Sequence, residues 1–157
     1  SGRGRGEAVM DGLRFPMFVD LRGRRAVVIG CGAIGARRIR VLLSFGAQVR
    51  AVDPLTSPPE GAEWVKRPYE RGDVEGAFLC VAATDDRAVN HAVCEEARSL
   101  GVPVSVADDR DECDFYFPAV CIGGGLVAGV VSDGTGHGKT AACAKEIRRI
   151  LEGFDEA

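Results

Sequence analysis

Long apolar runs are missing from this 157-residue sequence, and histidine is scarce. No stretch approaches the roughly 20 apolar residues that cross a bilayer, so neither a membrane span nor a membrane partner is expected. Ser1 to Gly6 lack the apolar core of an export signal and read as a tail or expression remnant, with Met10 as the natural start. Two histidines leave little from which to make a zinc site, and the six cysteines (31, 80, 94, 113, 121 and 143) show no C-x-x-C spacing. No metal site is expected. Cys31, Cys80 and Cys94 fall in apolar surroundings and are expected as small core residues in a reducing, cytoplasmic setting. Neither sign of charge dominates: 20 Lys and Arg face 23 Asp and Glu, a net charge of −3. With no basic stripe interleaved with aromatics, a nucleic-acid partner is not expected either.

What is present is a strong βα signal. Ala26-Val27-Val28-Ile29 is an apolar strand that runs into Gly30-Cys31-Gly32-Ala33-Ile34-Gly35, a G-x-G-x-x-G turn that opens a helical pattern. In such a turn the first glycine makes the bend, the second lets backbone approach a pyrophosphate, and the third lets the helix pack close to the sheet. The diphosphate would lie on the N–H groups of Gly32, Ala33, Ile34 and Gly35, where the helix dipole also favours negative charge. A second strand, Gln48 to Asp53, follows the helix and places an acid about twenty residues beyond the glycines, where it binds a ribose 2′-hydroxyl and repels a 2′-phosphate. The expected cofactor is NAD rather than NADP.

The rhythm continues to Ala107. Strand Arg25–Gly30, a helix over 33–45 with Ile34, Val41, Leu42 and Phe45 on one stripe, and strand Gln48–Asp53 are followed by a Pro-rich loop and a short strand near Glu63–Lys66. The uniformly apolar run Ala77–Ala83 predicts a strand buried on both faces. Thr84 is read as the cap of a helix over 85–100, with Val89, Val93, Ala97 and Leu100 facing inward. Val102–Val106 is the next strand. Beyond Asp108 the pattern changes to two strands, Phe115–Val120 and Leu126–Val131, joined across Gly123-Gly124-Gly125, and a helix over 139–152. The expected fold is α/β, a Rossmann-like parallel sheet with a small C-terminal β/α dimerisation segment. Residues 1–14 form a disordered tail, 15–112 the nucleotide-binding domain and 113–157 a segment too small for a core of its own, which predicts a homodimer.

Strand ends in an open α/β sheet line the ligand crevice. Ala83-Thr84 should complete the nucleotide cradle, while Asp85 and Asp86 read chiefly as helix caps. Asp108 differs, because no helical pattern starts directly after it, and a carboxylate there can act as a general base. The basic residues Arg37 and Arg38 flank the cradle and either meet an anionic ligand or form a solvated helix face. Gly134-Thr135-Gly136-His137-Gly138-Lys139-Thr140 imitates a nucleotide phosphate loop, but Asp133 stands where that pattern needs its first glycine. A glycine-rich turn leading into a helix is expected there, with an anionic substrate group as its one potential ligand.

Several runs together resemble the precorrin-2 dehydrogenase and sirohydrochlorin ferrochelatase family of siroheme synthesis. They are Phe15-Pro16-Met17-Phe18-Val19-Asp20-Leu21-Arg22-Gly23-Arg24, the glycine loop with Ala36-Arg37-Arg38, Ala82-Ala83-Thr84-Asp85-Asp86 with Asn90, Val106-Ala107-Asp108, and Asp114-Phe115-Tyr116-Phe117-Pro118-Ala119. The resemblance implies NAD-dependent oxidation of precorrin-2 to sirohydrochlorin with Asp108 as the catalytic aspartate, and a homodimer formed through the segment after the sheet. It also implies that Ser132 is the family's serine before a Gly-rich turn. Arg37, Arg38, Ser132 and Lys139 become the candidates for binding the carboxylate-rich tetrapyrrole, with Arg110 a further cation in reach of the same task. Some members also insert ferrous iron. Members commonly continue into a further helical region, whereas this chain ends at Ala157 and carries an altered turn over 132–139, so dehydrogenation is expected ahead of iron insertion. The alternative is a regulatory NAD-binding module of the potassium-transport type, which shares the loop and Asp53 but does not account for Asp108 or the D-F-Y-F-P-A run.

Overall fold

A computed structural model describes residues 12–136 and 138–155. The expected start at Met10 and most of the 1–14 tail lie outside these. The described chain divides into two compact units, one over 18–117 and one joining 12–17 to 118–155.

The larger unit is a parallel sheet built from β1 (Arg25–Ile29), β2 (Gln48–Val52), β3 (Glu63–Val65), β4 (Leu79–Ala82) and β5 (Val104–Val106), in the order β3-β2-β1-β4-β5. Alternate residues of β1 enter opposite layers. Val27 and Ile29 join Cys80, Val93, Ala97 and Val104 on one face, while Ala26 and Val28 join Ile39, Leu42, Val49 and Val81 on the other. Full burial of such side chains contributes roughly 1.5–3 kcal/mol each, which makes the central strands the energetic heart of the unit. Helices α1 (Ala33–Ser44) and α2 (Arg87–Leu100) cover the faces, and a 3-10 turn at Arg110–Glu112 follows β5. Because the chain winds outward from β1 to β3 and then returns to β4, the order reverses between β1 and β4. That switch point puts a crevice at the carboxyl ends of these two strands.

Local expectations needed four corrections. The buried stripe of α1 runs through Gly35, Ile39 and Leu42, and Ile34 is 45% exposed beside the glycine turn. Thr84 does not cap α2; Asp86 does, in the role also expected of it, accepting the Ala88 and Val89 N–H groups at 2.9 and 3.3 Å. The α2 stripe takes in the buried Asn90 and Cys94, while Leu100 is exposed. Finally, Phe115–Phe117 are not strand; Pro118 has no N–H to donate to a ladder, and pairing begins only at Ala119. The cysteine expectation held: Cys31, Cys80 and Cys94 are buried and free.

The smaller unit is an antiparallel hairpin of β6 (Ala119–Gly123) and β7 (Leu126–Val130), against which α3 (Lys139–Glu152) packs. Gly124 and Gly125 both have positive φ, 58° and 73°, as a two-residue type I′ turn requires. Contrary to the expectation of a segment without a core of its own, Cys121, Ala144 and Leu151 form a small one, with Ala119, Ala128 and Ile147 against them. No helix among the described residues is long and apolar enough to cross a membrane.

Candidate active site

Four strand ends of the larger unit carry the site. At the first, Gly30 donates its N–H to Val52 O at 2.9 Å and has φ 102°. A Cβ on Gly30 would lie 2.5 Å from the Ala83 carbonyl oxygen of the neighbouring strand end, so space and backbone angle both demand glycine. At Gly35 a Cβ would collide with the Gly30 carbonyl oxygen, which explains the close helix–sheet approach that the spacing predicts. Gly32 differs from both. Its φ of −66° suits any residue and a Cβ there would meet nothing within 4 Å. No described protein atom calls for glycine at position 32; a ligand lying against the backbone would.

The start of α1 fits the same ligand. Gly32 offers no side-chain cap and no acid sits in the first turn, so α1 supplies no carboxylate of its own to its leading N–H groups. The residues present therefore fit a dinucleotide diphosphate.

Asp53 follows β2 and is tied into the turn. Its Oδ2 accepts the Cys31 N–H at 2.8 Å, and its Oδ1 accepts the Leu55 and Thr56 N–H groups at 2.8 and 2.7 Å. Partial burial opposes the charge, but the amides of Thr56, Cys31 and Leu55 outweigh it and hold the carboxyl below its ordinary value. The sequence assigns Asp53 to the ribose; the structure adds that it also fixes the glycine turn.

After β4, Thr84 is clamped by Asn90. The Thr84 N–H and hydroxyl reach Asn90 Oδ1 at 3.1 and 2.7 Å, and Asn90 Nδ2 donates to Thr84 O at 3.0 Å. Asn90 is fully buried. It appears in the sequence only as part of a motif; its work is to hold the Ala83-Thr84 corner against the turn. The signal that could have found it is a polar side chain one turn into an otherwise apolar stripe.

Asp108 lies just past β5, where Ala107 N–H still bonds Ala82 O at 2.9 Å. A 3-10 turn does start nearby, contrary to expectation, but Asp109 is its cap, accepting Asp111 N–H at 2.9 Å. Asp108 instead meets Arg87 from the first position of α2, with Nη1 2.5 Å from Oδ1. The other arm of Arg87 binds Glu112, whose Oε2 is 2.6 Å from His91 Nδ1. Sequence reading missed Arg87, Glu112 and His91, because only the fold brings α2 against the 3-10 turn.

The candidate basic residues behave differently from one another. Arg37 is exposed, whereas Arg38 is half-buried with its guanidinium 5.2 Å from the Phe117 ring centre and its Nη1 buried without a partner among the described residues. Ser132 and Lys139 belong to the smaller unit: Ser132 Oγ accepts Gly134 N–H at 3.1 Å, and Lys139 is exposed at the start of α3. The loop between them is a glycine turn, with φ of 98° at Gly134 and 78° at Gly138. Arg110 stacks on Tyr116, 4.2 Å from its ring centre.

A Rossmann half-sheet with a glycine turn that fits a diphosphate and an acid at the end of β2 defines the dinucleotide-binding class. Residues 17–119 match the family described as "Putative NAD(P)-binding", and the chain belongs to that family. It is 41% identical over 150 residues to the "Probable multifunctional siroheme biosynthesis protein HemA" of Ruminiclostridium josui, spanning 90% of this chain and 29% of that one. Identity to the "Siroheme synthase" of Stutzerimonas stutzeri is 39% over 127 residues, 76% of this chain and 27% of the relative. The chain thus spans under a third of the length of these curated relatives. The solved structure titled "SirC, precorrin-2 dehydrogenase" superposes with a TM-score of 0.71 over 91% of this chain and 74% of that one, at 23% identity, and shares its fold.

Proposed function

We propose that the protein oxidises precorrin-2 to sirohydrochlorin with NAD, and that Asp108 is the general base. The observation that carries the reading is the placement of an acid, Asp108, on the strand end next to the Ala83-Thr84 corner of a nucleotide cradle. The strong likeness to siroheme-making proteins supplies the substrate class.

The residues divide the work. Gly30, Gly32, Ala33, Ile34 and Gly35 hold the diphosphate, Asp53 the adenosine ribose, and Ala83 and Thr84 the nicotinamide side. The Asp53 carboxylate, kept ionised by three amides, repels a 2′-phosphate and so selects NAD over NADP. When bound, NAD accepts the hydride that leaves a ring carbon of the substrate. Asp108 takes the proton lost with it through Oδ2, which accepts no bond from a described residue, and later releases it to solvent. Arg37, Arg38, Ser132 and Lys139 are assigned to the substrate carboxylates; Arg38 is the strongest of the four, since its Nη1 is buried and unpaired.

We assign the unit over 18–117 to the nucleotide and the hairpin and α3 that follow it to homodimerisation; Cys113 and Phe117 pack into the nucleotide unit's core, which moves the boundary from the expected 112/113. The exposed Ile122, Leu126 and Val127 of the hairpin, Ile150 of α3 and Phe154 just after it support a partner there. A cytoplasmic setting accords with six free cysteines. The test compares the protein with Asp108→Asn in the presence of enzymatically made precorrin-2 and NAD. A drop in kcat of at least about 100-fold with unchanged NAD affinity is expected; parental kcat in the variant rules out Asp108 as base. Ferrous iron added to the product, as a substrate, reads chelation separately.

A further inference from the structure

We propose that Arg87 is a positioning residue for Asp108, a role that rests on Asp108 being the base of the proposed oxidation. Asp108 stands on a loop between β5 and the 3-10 turn, where nothing in its own segment fixes its side chain. The fixing comes from another element. Arg87 opens α2, and that end of the helix is itself held by the Asp86 cap and by the Asn90 clamp on Thr84. From there the guanidinium splits: Nη1 reaches Asp108 Oδ1 at 2.5 Å, and Nη2 binds Glu112 Oε1. Asp109 Oδ2 lies 3.9 Å from Nη1.

Glu112 is the anchor of the arrangement. Its side chain is 12% exposed and has a second partner, His91 Nδ1 at 2.6 Å, one helical turn beyond Arg87 on α2. A guanidinium gripping a fixed buried carboxylate with one arm has its plane set, so its other arm aims Asp108. A lysine ammonium, as a point charge, cannot address both carboxylates with a fixed plane. Among the described residues only Oδ1 of Asp108 is engaged. Oδ2 remains for the substrate proton, and when it is taken up Arg87 keeps a counter-charge in Glu112.

The same Arg87 arms could serve fold stability alone, and a double-variant cycle separates the two roles. Arg87→Ala, Arg87→Lys, Asp108→Asn and the Arg87→Ala/Asp108→Asn pair are compared for kcat, precorrin-2 KM, NAD Kd by calorimetry and unfolding midpoint. Arg87→Ala is expected to lower kcat about 10- to 100-fold, as for a misaimed catalytic group. KM and NAD Kd stay within about twofold. Arg87→Lys recovers part of the kcat, and Arg87→Ala removes nothing further from Asp108→Asn. An unchanged kcat in Arg87→Ala, an equal loss in both backgrounds, or parental kcat in Arg87→Lys overturns the proposal. Parental kcat in Asp108→Asn instead overturns the base assignment on which it rests.

Discussion

The Asp53 carboxylate accepts the backbone N–H of Cys31 at 2.8 Å, which ties the end of β2 to the middle of the glycine turn. The folded-state value of Asp53 lies below its ordinary 3.8, so its contribution to stability is present above that value and is lost as pH falls through the folded one. Asp53→Asn should therefore unfold more easily at neutral pH, by about 1 kcal/mol after allowance for solvent screening, and the difference should shrink below the ordinary aspartate range. Urea unfolding of both proteins across pH checks this. The same variant should narrow the preference for NAD over NADP by at least about tenfold.

Gly32 and Gly35 separate binding from folding. A Cβ at Gly32 enters open space, so Gly32→Ala should keep its stability within about 0.5 kcal/mol while weakening NAD binding by at least about tenfold. A Cβ at Gly35 meets the Gly30 carbonyl, and Gly35→Ala should lose about 1–3 kcal/mol or more. Denaturation and calorimetry on the two variants give the contrast.

Much of this cradle is legible in the sequence because its signals are local. The glycine spacing, the apolar strand before it and the acid at the end of β2 all act within one βαβ unit. Helix α3 is also legible in full, Lys139 to Glu152, from its periodicity. What is hidden depends on contacts between distant segments. Arg87 and Glu112 are 25 residues apart and meet only when α2 crosses β5. Ile34 fits an apolar stripe by spacing, yet it lies at the helix start, where the crevice and not the core is its neighbour. Thr84 has the chemistry of a cap, but Asn90 claims its hydroxyl and leaves the cap to Asp86.

Tyr69 donates its hydroxyl to the buried Glu96 at 2.6 Å, and Glu96 also accepts Gly72 N–H at 2.9 Å. Burial and the adjacent Glu96 both push the Tyr69 hydroxyl upward, so it remains a donor at any working pH. Tyr69→Phe strips a donor from a buried carboxylate and should cost about 1–3 kcal/mol in urea unfolding, with kcat unchanged.

Arg38→Met keeps a stem against Phe117 and removes an unpaired buried donor. Its stability should be equal or higher by up to about 1 kcal/mol, while precorrin-2 KM rises about tenfold and NAD Kd does not move. Steady-state kinetics and thermal unfolding report the two effects separately.

The most direct measurement mixes the protein with NAD and enzymatically made precorrin-2 and follows NADH and sirohydrochlorin together. The proposed oxidation predicts that both appear in equal amounts with NAD, and far more slowly with NADP. Tight NAD binding without NADH formation contradicts it, and would leave a nucleotide-binding module in place of a dehydrogenase.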